Sequence, residues 1–185
     1  MADHPTFTRM ERLFLSQNLL ILEKLSPEDA EIYAQQRTII ERGYELLYFE
    51  LLQHVYDDKD TMSFEECSEV WDTLDMFDAI ARGLQQFPNT PRKPHYFTKF
   101  HGYDGNNEAK FMSFARFTVK ELQRFSYIEL EKPDYWNSHF PVRDIYGRML
   151  EQWRTVDPYA RFKLTQPQLI AVLEAAVHPE NRKSS

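Results

Sequence analysis

The strongest constraint on this chain is where its helices must begin. Thr8-Arg9-Met10-Glu11, Ser63-Phe64-Glu65-Glu66 and Thr165-Gln166-Pro167-Gln168 each place a hydroxyl three residues before a Glu or Gln. In such a capping box the two side chains each satisfy a backbone N–H that the first helical turn leaves free. Ser26-Pro27-Glu28-Asp29 is a further start, with Ser26 as N-cap and Pro27 at the first helical position. Apolar residues recur at helical intervals behind each start, and no stretch sustains two-residue alternation. The chain is therefore expected to be all-α and multihelical.

The first stripe holds Met10, Leu13, Phe14, Leu19 to Leu22 and Leu25. Residues 19–22 go round the whole helix, which implies a turn buried in the protein or facing another copy. Ile32, Tyr33, Ile39, Ile40, Tyr44 and Leu47 follow, and Gly43 either ends that helix or sits inside a longer one reaching Tyr56. Cys67, Val70, Trp71, Leu74, Phe77, Ala81 and Leu84 predict a helix to about Phe87, with Glu65, Glu69 and Asp72 on another face. Asp104-Gly105-Asn106-Asn107 reads as a turn with an Asn as N-cap and Glu108 in the first helical turn. Phe111, Phe114, Ala115, Thr118, Leu122 and Phe125 carry that helix onward. Residues 129–140 read as irregular. Pro141 opens a helix striped by Val142, Ile145, Tyr146, Met149, Leu150 and Trp153; Leu169, Ile170, Leu173, Ala176 and Val177 form the last face.

Folding 185 residues buries about 70% of the chain's surface, enough for one full core. Pro88, Pro91 and Pro94 mark the best connector. We expect an N-terminal helical subdomain over 8–87, a connector over 88–99, a C-terminal subdomain over 100–177 packed with the first, and a loose tail over 178–185.

A single cysteine, Cys67, excludes an intrachain disulfide and a cysteine zinc site. Its acidic neighbours disfavour a reactive thiolate. Asp104 to Ala115 fails as a calcium loop, because Ala109 stands where glycine and Ala115 where glutamate is needed. His95 and His101 have no metal-ligand spacing to match. No metal and no cofactor is expected. No apolar run is long enough to span a membrane. The N-terminus lacks a secretory pattern, so the cytoplasm is the expected location.

Net charge is −7, which gives no general attraction for nucleic acid or anionic membrane. The charge is uneven. Asp57 to Asp78 holds nine acids and one base; Arg82 to Arg124 holds eight bases and three acids. The simplest account is that one region faces the other, in the same chain or a second copy. The basic stretch also interleaves Tyr96, Phe97, Phe100, Tyr103, Phe111, Phe114 and Phe117, a pattern that suits stacked bases and phosphates. Aromatics at helical intervals more often build a core. Glu41-Arg42-Gly43-Tyr44 offers a guanidinium that could clamp an anion, or an ion pair that orients a helix end.

Thr38 to Tyr44, Glu65 to Ile80, Phe100-His101-Gly102-Tyr103-Asp104, Glu108 to Phe111, Ala115-Arg116-Phe117, Tyr146 to Leu150 with Trp153, and Leu164 to Ile170 together resemble the YfbU family of small bacterial proteins. Arg12-Leu13 and Leu15-Ser16 fit as well. Gln85 to Thr98 and Glu129 to Phe140 fall outside the matching segments. The resemblance implies an all-α, two-subdomain, oligomeric protein. It supplies no activity, substrate or cofactor. The matching polar residues Glu41, Arg42, Tyr44, Asp104, Glu108, Arg116, Tyr146 and Arg148 are the candidate site.

Three functions are ranked from these readings. A self-associating interaction or regulatory protein without catalysis comes first, with a protein partner beside the homo-oligomer. An RNA- or nucleotide-binding module using 92–124 comes second. A hydrolase or phosphoryl-handling enzyme comes third, with Glu41, Asp104 or Glu108 as base or metal ligand and Arg42, Arg116 or Arg148 holding an anion.

Overall fold

Helix α1 (Arg9–Leu25) starts where the Thr8 box places it: the Glu11 carboxylate takes the Thr8 N–H at 2.7 Å, and Glu11 N donates to Thr8 Oγ1. The structure is a computed structural model describing residues 4–90, 96–128 and 136–181. Among these residues it has seven α-helices and no strand; Tyr103 and Asn137 form one isolated bridge. The all-α expectation holds.

The chain divides into two compact units, residues 1–61 and 62–185. In the first, α1 lies against α2 (Ala30–Arg42), followed by the short α3 (Tyr48–Leu52). Ser26 makes no side-chain cap, and Pro27 opens a 3₁₀ turn instead, so α2 begins at Ala30. Gly43 ends α2 rather than continuing it. Its φ of +69° is left-handed, and Tyr44 N donates to Ile39 O at 3.0 Å to close the helix end.

The second unit is built on α4 (Phe64–Gln86), capped by the Ser63 box as expected. Helices α5 (Ala109–Arg116), α6 (Arg143–Arg154) and α7 (Gln166–Ala175) pack on it. From Thr73 to Ile80 only Asp75 escapes full burial, so α4 is the hub of the core and not a one-faced surface helix. The α6 stripe lies inside as read, with Ile145 half-buried. The Thr165 box starts α7, with Leu164 and Leu169 both buried beside it.

Two expectations are corrected here. The helix meant to run to Phe125 ends at Arg116 and continues only as a π turn, Phe117–Glu121. Gln123 and Phe125 then take left-handed backbone angles, which stops helical propagation. Glu108, expected in the first turn of α5, is its N-cap residue, and its carboxylate is engaged elsewhere. The 88–99 stretch lies within the second unit, and α4 before it shares a core with α5, α6 and α7 after it. Its residues 91–95 lie outside the described residues, as do 129–135 of the irregular segment and 182–185 of the tail.

Candidate functional site

Of the candidate polar residues, Glu41, Arg42 and Tyr44 lie in the first unit; Asp104, Glu108, Arg116, Tyr146 and Arg148 lie in the second. Within the second unit the buried Glu108 is the organising group. Its carboxylate accepts from Asp104 N at 2.9 Å, Val142 N at 3.0 Å and Arg143 N at 3.1 Å. It therefore fixes the turn before α5 and caps the start of α6, two backbone sites that local sequence leaves without acceptors. Asp104, also buried, accepts from Asn106 N and the Asn107 amide. Both carboxylates are engaged by donors of the protein itself.

Tyr146 ties the same region together. Its hydroxyl donates to Gly102 O at 3.0 Å and accepts from His101 N at 3.2 Å. Burial pushes the phenols of Tyr103 and Tyr146 well above their ordinary range. Arg148 donates to Asp144 O at 3.0 Å and Ala176 O at 2.9 Å, joining α6 to the chain after α7. Arg116 stands exposed in the last turn of α5.

Four of the nine acids of the acidic stretch meet bases inside the second unit, while Asp57 meets Lys59 in the first. Glu66 meets Lys110 at 2.6 Å, Asp72 meets Arg154 at 2.5 Å, and Asp78 meets Arg82 at 2.5 Å. Glu69 takes Arg143 through two bonds, at 2.8 and 2.7 Å, while that guanidinium lies 3.9 Å from the Phe111 ring. Arg143 and Arg154 fall outside the basic stretch, and the sequence reading missed them. The signal was available: three acids on one face of α4 call for cations on the helix that covers it. A groove of about 970 Å³ runs past these pairs, bounded by Phe64, Glu65, Glu108, Arg143, Gly147 and Arg148. Its lining has more carboxylates than guanidiniums, which disfavours an anion there.

The aromatics of the basic stretch are mainly core. Phe97, Phe100, Tyr103 and Phe111 are buried, Phe114 is half-buried, and Tyr96 and Phe117 are exposed. Tyr96 stacks on His101 with ring centroids 4.5 Å apart. His95 lies outside the described residues. No group of three or more metal-ligating side chains gathers among the described residues. No described helix is long and apolar enough to cross a membrane.

In the first unit, polar contacts cross the seam between α1 and α2, beside the half-buried Leu15 and Leu19. Glu41 accepts from Ser16 Oγ at 2.7 Å and Arg37 at 3.1 Å, and Arg37 also reaches Glu23 at 3.2 Å. The Ser16 hydroxyl, then Arg37, hold Glu41 below the usual carboxylate range. Arg42 sits exposed in the last turn of α2, and Tyr44 is exposed just beyond it. The local sequence Glu41-Arg42 does not form the ion pair; Glu41 binds residues on α1 and one turn back on α2.

Most of the apolar residues of α1 point the other way. Arg12, Leu15, Ser16, Leu19 and Glu23 are half-buried, while Met10, Phe14, Ile21 and Leu25 are 59%, 59%, 55% and 72% exposed. Leu13 and Leu20 are exposed beside them, and no residue of α1 is fully buried. The helix is inverted: its outer face is more apolar than the face it turns to α2. Placing the α1 residues at 100° intervals separates these two faces from the sequence alone; the ring of apolar residues at 19–22 obscures that longer stripe.

The described residues form an all-α, multihelical protein. A family model for the YfbU domain matches residues 6–175, and the chain belongs to that family. It is similar to a UPF0304 protein of Methanocaldococcus jannaschii, 33% identical over 172 residues that cover 91% of this chain and 99% of the relative. The family's function is uncharacterised.

Proposed function

We propose that the protein is a self-associating interaction protein without catalysis, and that its first unit carries the association surface. The observation behind this is the outer face of α1. Seven large apolar side chains stand exposed on α1, and six of them, Met10, Leu13, Phe14, Leu20, Ile21 and Leu25, share its outer face while Leu22 lies at the edge. A contiguous apolar patch of that kind is costly in water unless protein covers it. The committed carboxylates of Glu108 and Asp104 weigh against the hydrolase reading. The buried aromatics leave a nucleic-acid module with few rings to stack on.

The test is native mass spectrometry of gently purified protein, with a denatured mass from the same sample. The proposal expects a small multiple of the 22.2 kDa chain with nothing else bound. A monomer at all concentrations would remove it. Extra mass lost on denaturation would instead redirect the search to a ligand.

A further inference from the structure

We infer that α1 pairs with α1 of a second copy in antiparallel fashion, about a two-fold axis beside Gln17. This rests on the self-association proposed above and adds where, and in which orientation, it occurs. A two-fold interface must be self-complementary: if residue i meets residue j, then j meets i. The exposed stripe has that property. Met10 and Leu25 lie equally far from the midpoint between Gln17 and Asn18, and so do Phe14 and Ile21. Antiparallel pairing therefore sets Met10 against Leu25 of the partner subunit and Phe14 against Ile21 of the partner subunit. The 4-7-4 spacing of these four positions keeps them on one side of the helix.

Gln17, exposed like its neighbour Asn18, is a polar residue in the centre of the stripe. Beside a two-fold axis it would face its own copy. A carboxamide both donates and accepts, so two glutamines can satisfy each other where two lysines or two carboxylates would repel. A polar pair at one such position also fixes register in helical seams. Parallel pairing would give up this match between unlike ends.

The area is consistent with a second copy. Complete cover of the six side chains would remove at most on the order of 600 Å² per copy, which reaches the low end, about 1,200 Å² in total, of specific interfaces. The polar inner seam of Ser16, Glu23, Arg37 and Glu41 is already occupied by α2. Only the outer face remains for another helix.

The experiment uses the full chain with Cys67→Ala, which removes the native thiol. Gln17→Cys and Met10→Cys are introduced separately and each is oxidised mildly. Antiparallel pairing puts the two thiols introduced at position 17 within disulfide range of each other and holds those introduced at position 10 far apart. The expected result is a disulfide-linked dimer as the main product for Q17C, and little for M10C. Efficient linking of M10C would mean a parallel seam and overturn the inference. No linking of either, in a protein whose native mass is a dimer, would place the interface elsewhere and overturn the inference while the broader reading stands. A monomeric native mass would overturn both. In case Q17C itself perturbs folding, Ile21→Asp is tested by native mass alongside far-ultraviolet helicity. Loss of dimer with helicity kept supports the seam, and a persistent dimer contradicts it.

Discussion

The two units differ in what they have finished. Among the described residues the second unit holds twenty-six buried apolar side chains, and the first holds two, Ile40 and Tyr48. The second also answers its own charges, with Glu66, Glu69, Asp72 and Asp78 each meeting a base. In the first unit the Ser16–Glu41 and Arg37–Glu23 contacts join α1 to α2, while most large apolar groups of α1 point outward. A helix pair arranged this way leaves an apolar face in water, which protein would have to cover to lower its cost. The difference separates a unit with a full apolar core from one whose largest apolar groups face outward.

The sharpest way to break the claim for the second unit is Glu108→Ala. Asp104, Val142 and Arg143 would lose their acceptor together, and stability should fall by about 3 kcal/mol or more in urea unfolding. Glu108→Gln keeps one acceptor oxygen and should cost less. A loss near zero for the alanine variant would mean that water replaces the carboxylate and that Glu108 does not organise the unit.

Gly102→Ala comes next. Gly102 has φ +86°, and a Cβ there would overlap the Trp136 carbonyl. That carbonyl accepts from Tyr103 N at 2.6 Å, so the backbone has little room to yield. About 2 kcal/mol of destabilisation is expected from the left-handed angle and the clash, read from the same unfolding curves.

Asp75→Asn should act in the opposite direction. Burial, then the neighbouring Asp78 charge, raises the Asp75 carboxyl above its ordinary range; Asp72 adds to this, while Arg82 and Arg161 oppose it. A raised carboxyl makes the ionised form a burden on the native state. That burden is absent below the unfolded pKa of about 3.9 and grows as pH rises through the folded value. The asparagine variant should therefore be more stable than wild type at pH 7 and equal to it near pH 3, by thermal melts at both.

Phe14→Asp should have the smallest effect on the second unit. Its melting should be unchanged while the assembly is lost, as read by circular dichroism and light scattering on one sample. A large drop in the main transition would erase the distinction between the units.

Features controlled by residues three or four apart were legible in the sequence. The boxes at Thr8, Ser63 and Thr165 and the stripe from Val142 to Trp153 depend only on such spacing. Glu108 was found as a candidate, but its role was not, because two of its donors lie 34 and 35 residues away. The helix end before Phe125 was also hidden: a left-handed backbone leaves no mark on apolar periodicity. The charge asymmetry was real, but half of its answer came from Arg143 and Arg154, beyond the stretch that drew attention. The outer face of α1 was visible as excess hydrophobicity, and only the structure showed that α2 takes the polar side.

The most direct test of the account is sedimentation equilibrium of the wild-type chain and of Phe14→Asp/Ile21→Asp across a wide concentration range. The account predicts a dimer, or a multiple of one, for the wild type and a folded monomer for the double variant. A wild type that stays monomeric, or a double variant that assembles as the wild type does, would contradict it.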